Sequence, residues 1–138
     1  MISDELLQSD LITKLKSITS VTAIIGANEV KELQWQGDTF TYPNIRLDIE
    51  SNEYEFDEQE RCGLYAVEFS IFIFSQERSS KQCSVIKGLL ENSLTGIGFT
   101  GVNAKYNRLR LIDNVPAIRE DSRTWRSQLK YRTRLTSI

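Results

Sequence analysis

The sequence predicts a single α+β domain: an antiparallel or mixed β-sheet with two amphipathic helices packed on it. Three observations predict it. Two segments carry apolar residues at helical spacing, and several others alternate apolar and polar residues with period two. The strand-like segments follow one another through short links, which favours antiparallel pairing. The chain has 138 residues, 40% hydrophobic and 26% charged, which is enough for a core without metal or disulfide staples. No repeat, low-complexity tract or second domain interrupts residues 1–138.

The first helix is predicted over 4–19, "DELLQSDLITKLKSIT". Leu7, Leu11, Leu15 and Ile18 form one apolar stripe. Ser3 suits the N-cap, and Asp4 and Glu5 suit the positive end of the helix dipole. "VTAIIGANEV" continues the apolar run and breaks at Gly26. A loop-like stretch follows, "KELQWQGDTFTYPN", with breakers at Gly37 and Pro43. Its aromatics, Trp35, Phe40 and Tyr42, suit either the edge of a core or a partner.

"IRLDIES" at 45–51 reads as a strand with Ile45, Leu47 and Ile49 on one face. "LYAVEFSIFIFS" at 64–75 is the strongest strand signal, with Tyr65, Val67, Phe69, Ile71 and Ile73 sharing a face. Phe72 and Phe74 make its far end apolar on both sides, which predicts a central strand covered on each face. The second helix is predicted over 78–95, with Cys83, Ile86, Leu90 and Leu94 in line and Gly96 as its stop. "NRLRLID" and "PAIRE" read as two short strands around a turn at Asp113–Asn114. "TWRSQLKYRTRL" at 124–135 is a last strand with an apolar face and a basic one.

Few residues suit catalysis. The sequence has no histidine, which removes the commonest general base near neutral pH and every Ser-His or Cys-His pair. Cys62 and Cys83 stand alone, match no metal or redox spacing, and read as free thiols of a reducing compartment. "GIGFTG" at 96–101 has the letters of a dinucleotide loop, but that loop needs a strand before it and a helix after it. Here the order is inverted, so it reads as a Gly-rich turn. Asp48 and Glu50 lie at i, i+2 on one strand face and suit a shared Mg²⁺ with a nearby lysine, as in a metal-dependent nuclease; Glu29 and Lys31 form a looser pair. A solvated strand face explains the same residues. No catalytic, cofactor-binding or metal-binding residue is expected. The N-terminus lacks the basic and apolar regions of a signal peptide, and no apolar run is long enough to span a membrane, so a cytosolic protein is expected.

Charge is more informative. The net charge is -2, which excludes a generally basic nucleic-acid binder. Residues 48–61 nevertheless hold seven carboxylates, among them Asp57, Glu58 and Glu60, against Arg61 alone. Residues 123–134 hold five cations, Arg123, Arg126, Lys130, Arg132 and Arg134, and no acid. The two segments suit pairing within a subunit, solvated faces, or a heterologous contact between one copy's acidic patch and the next copy's basic patch.

The order of these segments carries a resemblance. A helix leads to "VTAIIG", a polar loop ends in "TYPNIRLDIES", and "RCGLYAVEFSIFIFSQERS" runs into "QCSVIKGLLENSL". "WRSQLKYRTRL" closes the pattern. Over nearly its whole length the chain resembles the tail terminator (tail-completion, head–tail joining) proteins of long-tailed bacteriophages. The acidity of 53–60 and the aromatic loop at 32–42 have no counterpart in that pattern. The resemblance implies a non-catalytic virion protein of the tail–neck region, assembled in the host cytoplasm. It implies a homo-oligomeric ring, a hexamer, that caps the tail tube, stops tube-protein addition and meets the head connector, while DNA passes through its lumen without specific binding. Another neck or tail-tube ring component is the nearest alternative. On this reading the basic face of 126–134 suits either the lumen or a protein surface, and Arg126, Lys130, Arg132 and Arg134 are expected to face protein carboxylates, in this subunit or the next, with Asp57, Glu58 and Glu60 as candidate partners.

Overall fold

A computed structural model of the chain describes residues 2–34, 41–55 and 64–137. The elements run α1 (Asp4–Lys16), α2 (Thr19–Thr22), a 3-10 turn (Ala27–Glu29), β1 (Val30–Glu32), β2 (Asn44–Glu55) and β3 (Leu64–Ser75). Then come α3 (Lys81–Leu94), β4 (Phe99–Thr100), β5 (Ala104–Tyr106), β6 (Arg110–Arg119) and β7 (Trp125–Ser137). The seven strands make one mixed sheet in the order β1-β2-β3-β7-β5-β4, with β6 also on β7. β1 runs parallel to β2 and every other pairing is antiparallel. The expected α+β sheet with helices on it is the fold observed.

Alternation builds the core. Ile45 and Leu47 of β2 stand beside Ile73 and Ile71 of β3, which stand beside Ser127 and Leu129 of β7. One face of three long strands is therefore nearly all apolar. α1 lies against β1 and β2, and α3 against β3, β7 and β6, so the helices cover this face. Leu7, Leu11 and Leu15 of α1 join Ile86, Leu90 and Leu94 of α3 in one cluster with Phe69, Ile71 and Ile73. Cys83 is buried there as a free thiol, bonded to Ser127 and the Ile73 carbonyl. Cys62 lies outside the described residues, as do Trp35, Gly37 and Phe40 of the aromatic loop.

Several expectations change. The first helix ends at Lys16 rather than running to residue 19. Ser17 donates its hydroxyl to the Lys14 carbonyl at 2.5 Å, a local bond that competes with helix propagation. Ile18 still reaches the core from the short link before α2. The second helix begins at Lys81, three residues later than the periodicity suggested. No turn exists at Asp113–Asn114. β6 is continuous, and its register slips between Leu111 and Asp113 and between Val115 and Ile118. Pro116 falls in the second slip, where an edge strand tolerates a missing N–H. β3 is central, as expected, but among the described residues no layer covers its second face. Phe72 and Phe74 are half-buried there, stacked at 6.5 Å, with the Arg126 guanidinium 5.8 Å from the Phe72 ring.

Candidate functional site

The helix-free face of the sheet carries the charge. Asp48, Ser70 and Lys130 share one row across β2, β3 and β7. Glu50 is the extra residue of a β-bulge, since Ile49 pairs with Phe69 and Ser51 already pairs with Glu68. The bulge frees Glu50 to reach sideways. Its Oε2 lies 2.7 Å from Lys130 Nζ, and its Oε1 accepts the Ser70 hydroxyl. Glu68 adds a second carboxylate 3.6 Å from Lys130, and Gln128 Nε2 donates to Ser70 at 3.0 Å.

The electrostatics follow from this wiring. Burial alone raises the Glu50 pKa, but the hydrogen bonds from Lys130 and Ser70 and the Lys130 charge bring it below the usual value. The hydrogen bond to Glu50 in turn holds Lys130 above its ordinary value, with the charges of Glu50 and Glu68 adding to it. Burial pushes the Asp48 carboxyl up, and Glu50 pushes it further. Of the pair proposed from sequence for Mg²⁺, Glu50 thus does meet a lysine, while Asp48 lies in the same row as Lys130 with Ser70 between them. Both Glu50 oxygens are already engaged, however, and among the described residues no three His, Cys, Asp or Glu side chains converge for a metal.

The basic residues of β7 divide into two groups. Arg126 and Lys130 have partners inside the chain: Arg126 lies 3.7 Å from Glu120, and Lys130 is bound as above. Asp57, Glu58 and Glu60, the partners proposed from sequence, lie outside the described residues. Arg132 and Arg134 line an open groove of about 680 Å³ with Asn107, Arg108, Arg110 and Thr133.

The groove floor is built by pairing. Arg110 of β6 stands directly opposite Arg132 of β7. The Asn107 N–H donates to the Arg134 carbonyl at 2.9 Å, and the Thr133 hydroxyl donates to the Asn107 carbonyl at 2.9 Å. Leu109 is buried between Arg108 and Arg110 and anchors the segment that carries them. Among the described residues Arg108, Arg110 and Arg132 form no ion pair. Arg108 and Arg110 were not among the residues that the sequence nominated. Their alternation in "NRLRLID" was visible, but their place beside Arg132 depends on a strand register that no local pattern encodes.

"GIGFTG" has a packing role. Gly96 takes φ 76° just after α3, a conformation that favours glycine, and its N–H donates to the Leu109 carbonyl at 2.8 Å. A Cβ on Gly98 would lie 2.9 Å from the Tyr106 carbonyl oxygen, and one on Gly101 would lie 2.5 Å from the Asp10 carboxylate. Asp10 is itself buried on α1. It accepts bonds from the Val102 and Asn103 N–H groups, the Asn103 amide and the Tyr106 hydroxyl, and so ties the β4–β5 hairpin to the helix. Burial and the Asp10 charge push the Tyr106 phenol far up. Nothing in the helical periodicity marked Asp10, which reads there as one polar residue among others.

No protein-family model matches the sequence, and no curated protein matches it. Among solved structures, a chain in the virion of a native gene transfer agent (GTA) particle has a similar fold. The TM-score is 0.74 with 15% identity, over 96% of each chain. At that identity the likeness establishes a shared fold.

Proposed function

We propose that this chain is a virion structural protein of a long-tailed bacteriophage, a tail terminator that assembles into a ring on the end of the tail tube. The observation that carries the reading is the shared fold with a virion chain over 96% of both lengths, joined to the segment order that resembles tail terminators. In this role the ring, a hexamer, stops tube growth and offers its other side to the head connector. The protein does this by surface complementarity and without catalysis. Its place is the tail–neck region of the virion, reached by assembly in the host cytoplasm. DNA passes the lumen without specific contacts, because each phosphate contact adds counterion-release affinity that would hold a moving strand.

Purified chain added to tail tubes tests this. Capped, length-fixed tubes support the terminator reading. Open polymerisation of the chain supports a tube component, the nearest alternative in the same class. The Glu50–Lys130 contact, with Asp48 in the same row, sustains a second reading, a Mg²⁺-dependent nuclease. Cleavage of DNA in Mg²⁺ or Mn²⁺ that disappears in Asp48→Ala would establish it; the structural reading expects none.

A further inference from the structure

We infer that the groove between α1 and the outer edge of β4 binds an extended acidic–apolar segment of a partner protein, which adds to β4 as one more strand. The inference goes beyond the terminator reading, because the groove belongs to a single subunit and needs no ring.

β4 is the end strand of the sheet. The Gly101 N–H donates to the Ala104 carbonyl at 2.8 Å, which makes that pair a hydrogen-bonded rung. Bonded and non-bonded rungs alternate along an antiparallel ladder. The neighbouring Thr100–Lys105 rung is therefore non-bonded, and the Thr100 N–H and C=O point away from β5 to the open edge. An incoming strand exchanges hydrogen bonds with both. α1 forms the second wall. Asp10, Lys14 and Ser17 recur at helical spacing and, with Phe99, Gly101 and Val102, line an open cavity of about 420 Å³. That volume suits a short extended segment and not a folded layer.

The lining sets the chemistry of the segment. Val102 is 84% exposed, the most exposed large hydrophobic among the described residues, and Phe99 is half-buried. Lys14 Nζ sits 5.5 Å from the Phe99 ring centre and forms no ion pair among the described residues. Asp10, one turn back, directs its carboxylate to Val102, Asn103 and Tyr106. Lys105 adds an exposed second cation at this edge. Phe99 shares a rung with Tyr106, whose hydroxyl reaches Asp10, so Phe99 faces α1. Alternation then turns the two residues flanking the one opposite Thr100 into the groove. The first lies beside Phe99, where Lys14 calls for a carboxylate. The second lies over Gly101, where no side chain stands, and beside Val102 it suits an apolar residue.

Titration of the peptide acetyl-Val-Thr-Glu-Thr-Val-amide into the full chain, followed by NMR shifts, tests the inference. The peptide reads alike in both directions, so it presents Glu at Phe99 and Val at Gly101 whichever way the strand runs. Saturable shifts should centre on the Thr100 amide and the Lys14 side chain. Lys14→Glu should weaken binding by at least about fivefold, and a peptide with Lys in place of Glu should restore it. Thr100→Pro removes the outward N–H and keeps the β4–β5 bonds, since an edge strand tolerates proline there. It should abolish binding while the Val102 and Asn103 amides keep their shifts. If that variant loses the hairpin, the exposed Val102→Ser takes its place and should weaken binding. No saturable shift at Thr100, or equal affinity for the parent and Lys14→Glu, overturns the inference. Shifts at Thr100 on concentrating the chain alone would make a second copy the occupant and overturn the assignment to a partner protein. No tail tube enters the assay, so its failure leaves the terminator reading where it stands.

Discussion

Arg110 and Arg132 face each other across the β6–β7 ladder, two guanidiniums on one rung. Within the isolated subunit the two like charges on that rung oppose folding, with Glu68 of β3 on the other side of Arg132 as the neighbouring carboxylate. Arg110→Gln should therefore raise the stability of the monomer by about 0.2–1 kcal/mol. The gain should shrink in high salt, which screens exposed charges. Urea unfolding at low and high ionic strength measures it. A loss of stability at low salt would mean that the rung already has its counter-charge within the subunit.

Lys130 and Glu50 give a pH window. Glu50 is held below its ordinary value, so its contribution is present above about pH 4.5 and is lost as pH falls through its lower folded pKa. Lys130 is held above its ordinary value, so its contribution persists up to about pH 10.5 and is lost as pH rises through its folded pKa. The stability difference between the parent and Lys130→Met should be flat between these limits and shrink beyond both. Asp48 has the opposite sign to Glu50: its raised pKa makes ionisation costly, so Asp48→Asn should not destabilise the fold at neutral pH. Unfolding curves across pH would show either pattern; a Lys130→Met difference that rises steadily through neutrality would contradict it.

Asp10 holds the β4–β5 hairpin through side-chain and backbone donors, including the buried Tyr106 hydroxyl. Asp10→Ala strands those donors and should cost about 2–3 kcal/mol. Hydrogen exchange at Val102 and Asn103 should accelerate more than exchange in β3. A cost under about 1 kcal/mol would mean that water replaces the carboxylate.

Phe69, Ile71 and Ile73 are almost wholly enclosed, at 1%, 0% and 0% exposure. Ile71→Ala should cost about 2–5 kcal/mol, the range for a large core residue cut to Ala. Chemical denaturation reads it directly. Val85→Ala is the control: Val85 lies on the outer face of α3 at 45% exposure, and its loss should be small.

The fold was legible where a segment was long and its period unambiguous. Leu7, Leu11 and Leu15 announced α1, and Tyr65 to Ile73 announced β3, because a core face imposes its period on every residue along it. Short pieces were not legible. β1 spans Val30–Glu32 and is a strand only because β2 lies beside it. β4 and β5 are similarly short, and Asp10 on a distant helix fixes their hairpin. β6 looked like two strands because two bulges and Pro116 break its alternation, while backbone pairing with β7 carries it through. The site followed the same rule. The basic face of β7 was visible, but its division was not. Lys130 meets Glu50 through a bulge, and Arg132 meets Arg110 through register; both are relations between segments.

The central claim is that copies of this chain close into a ring that caps a tail tube. The most direct test is native mass together with negative-stain imaging of the full chain at high concentration, with and without tail tubes. The account predicts a single closed species of six copies, formed in solution or on tube ends, that halts further tube growth. A chain that stays strictly monomeric and never adds to a tube end would contradict it.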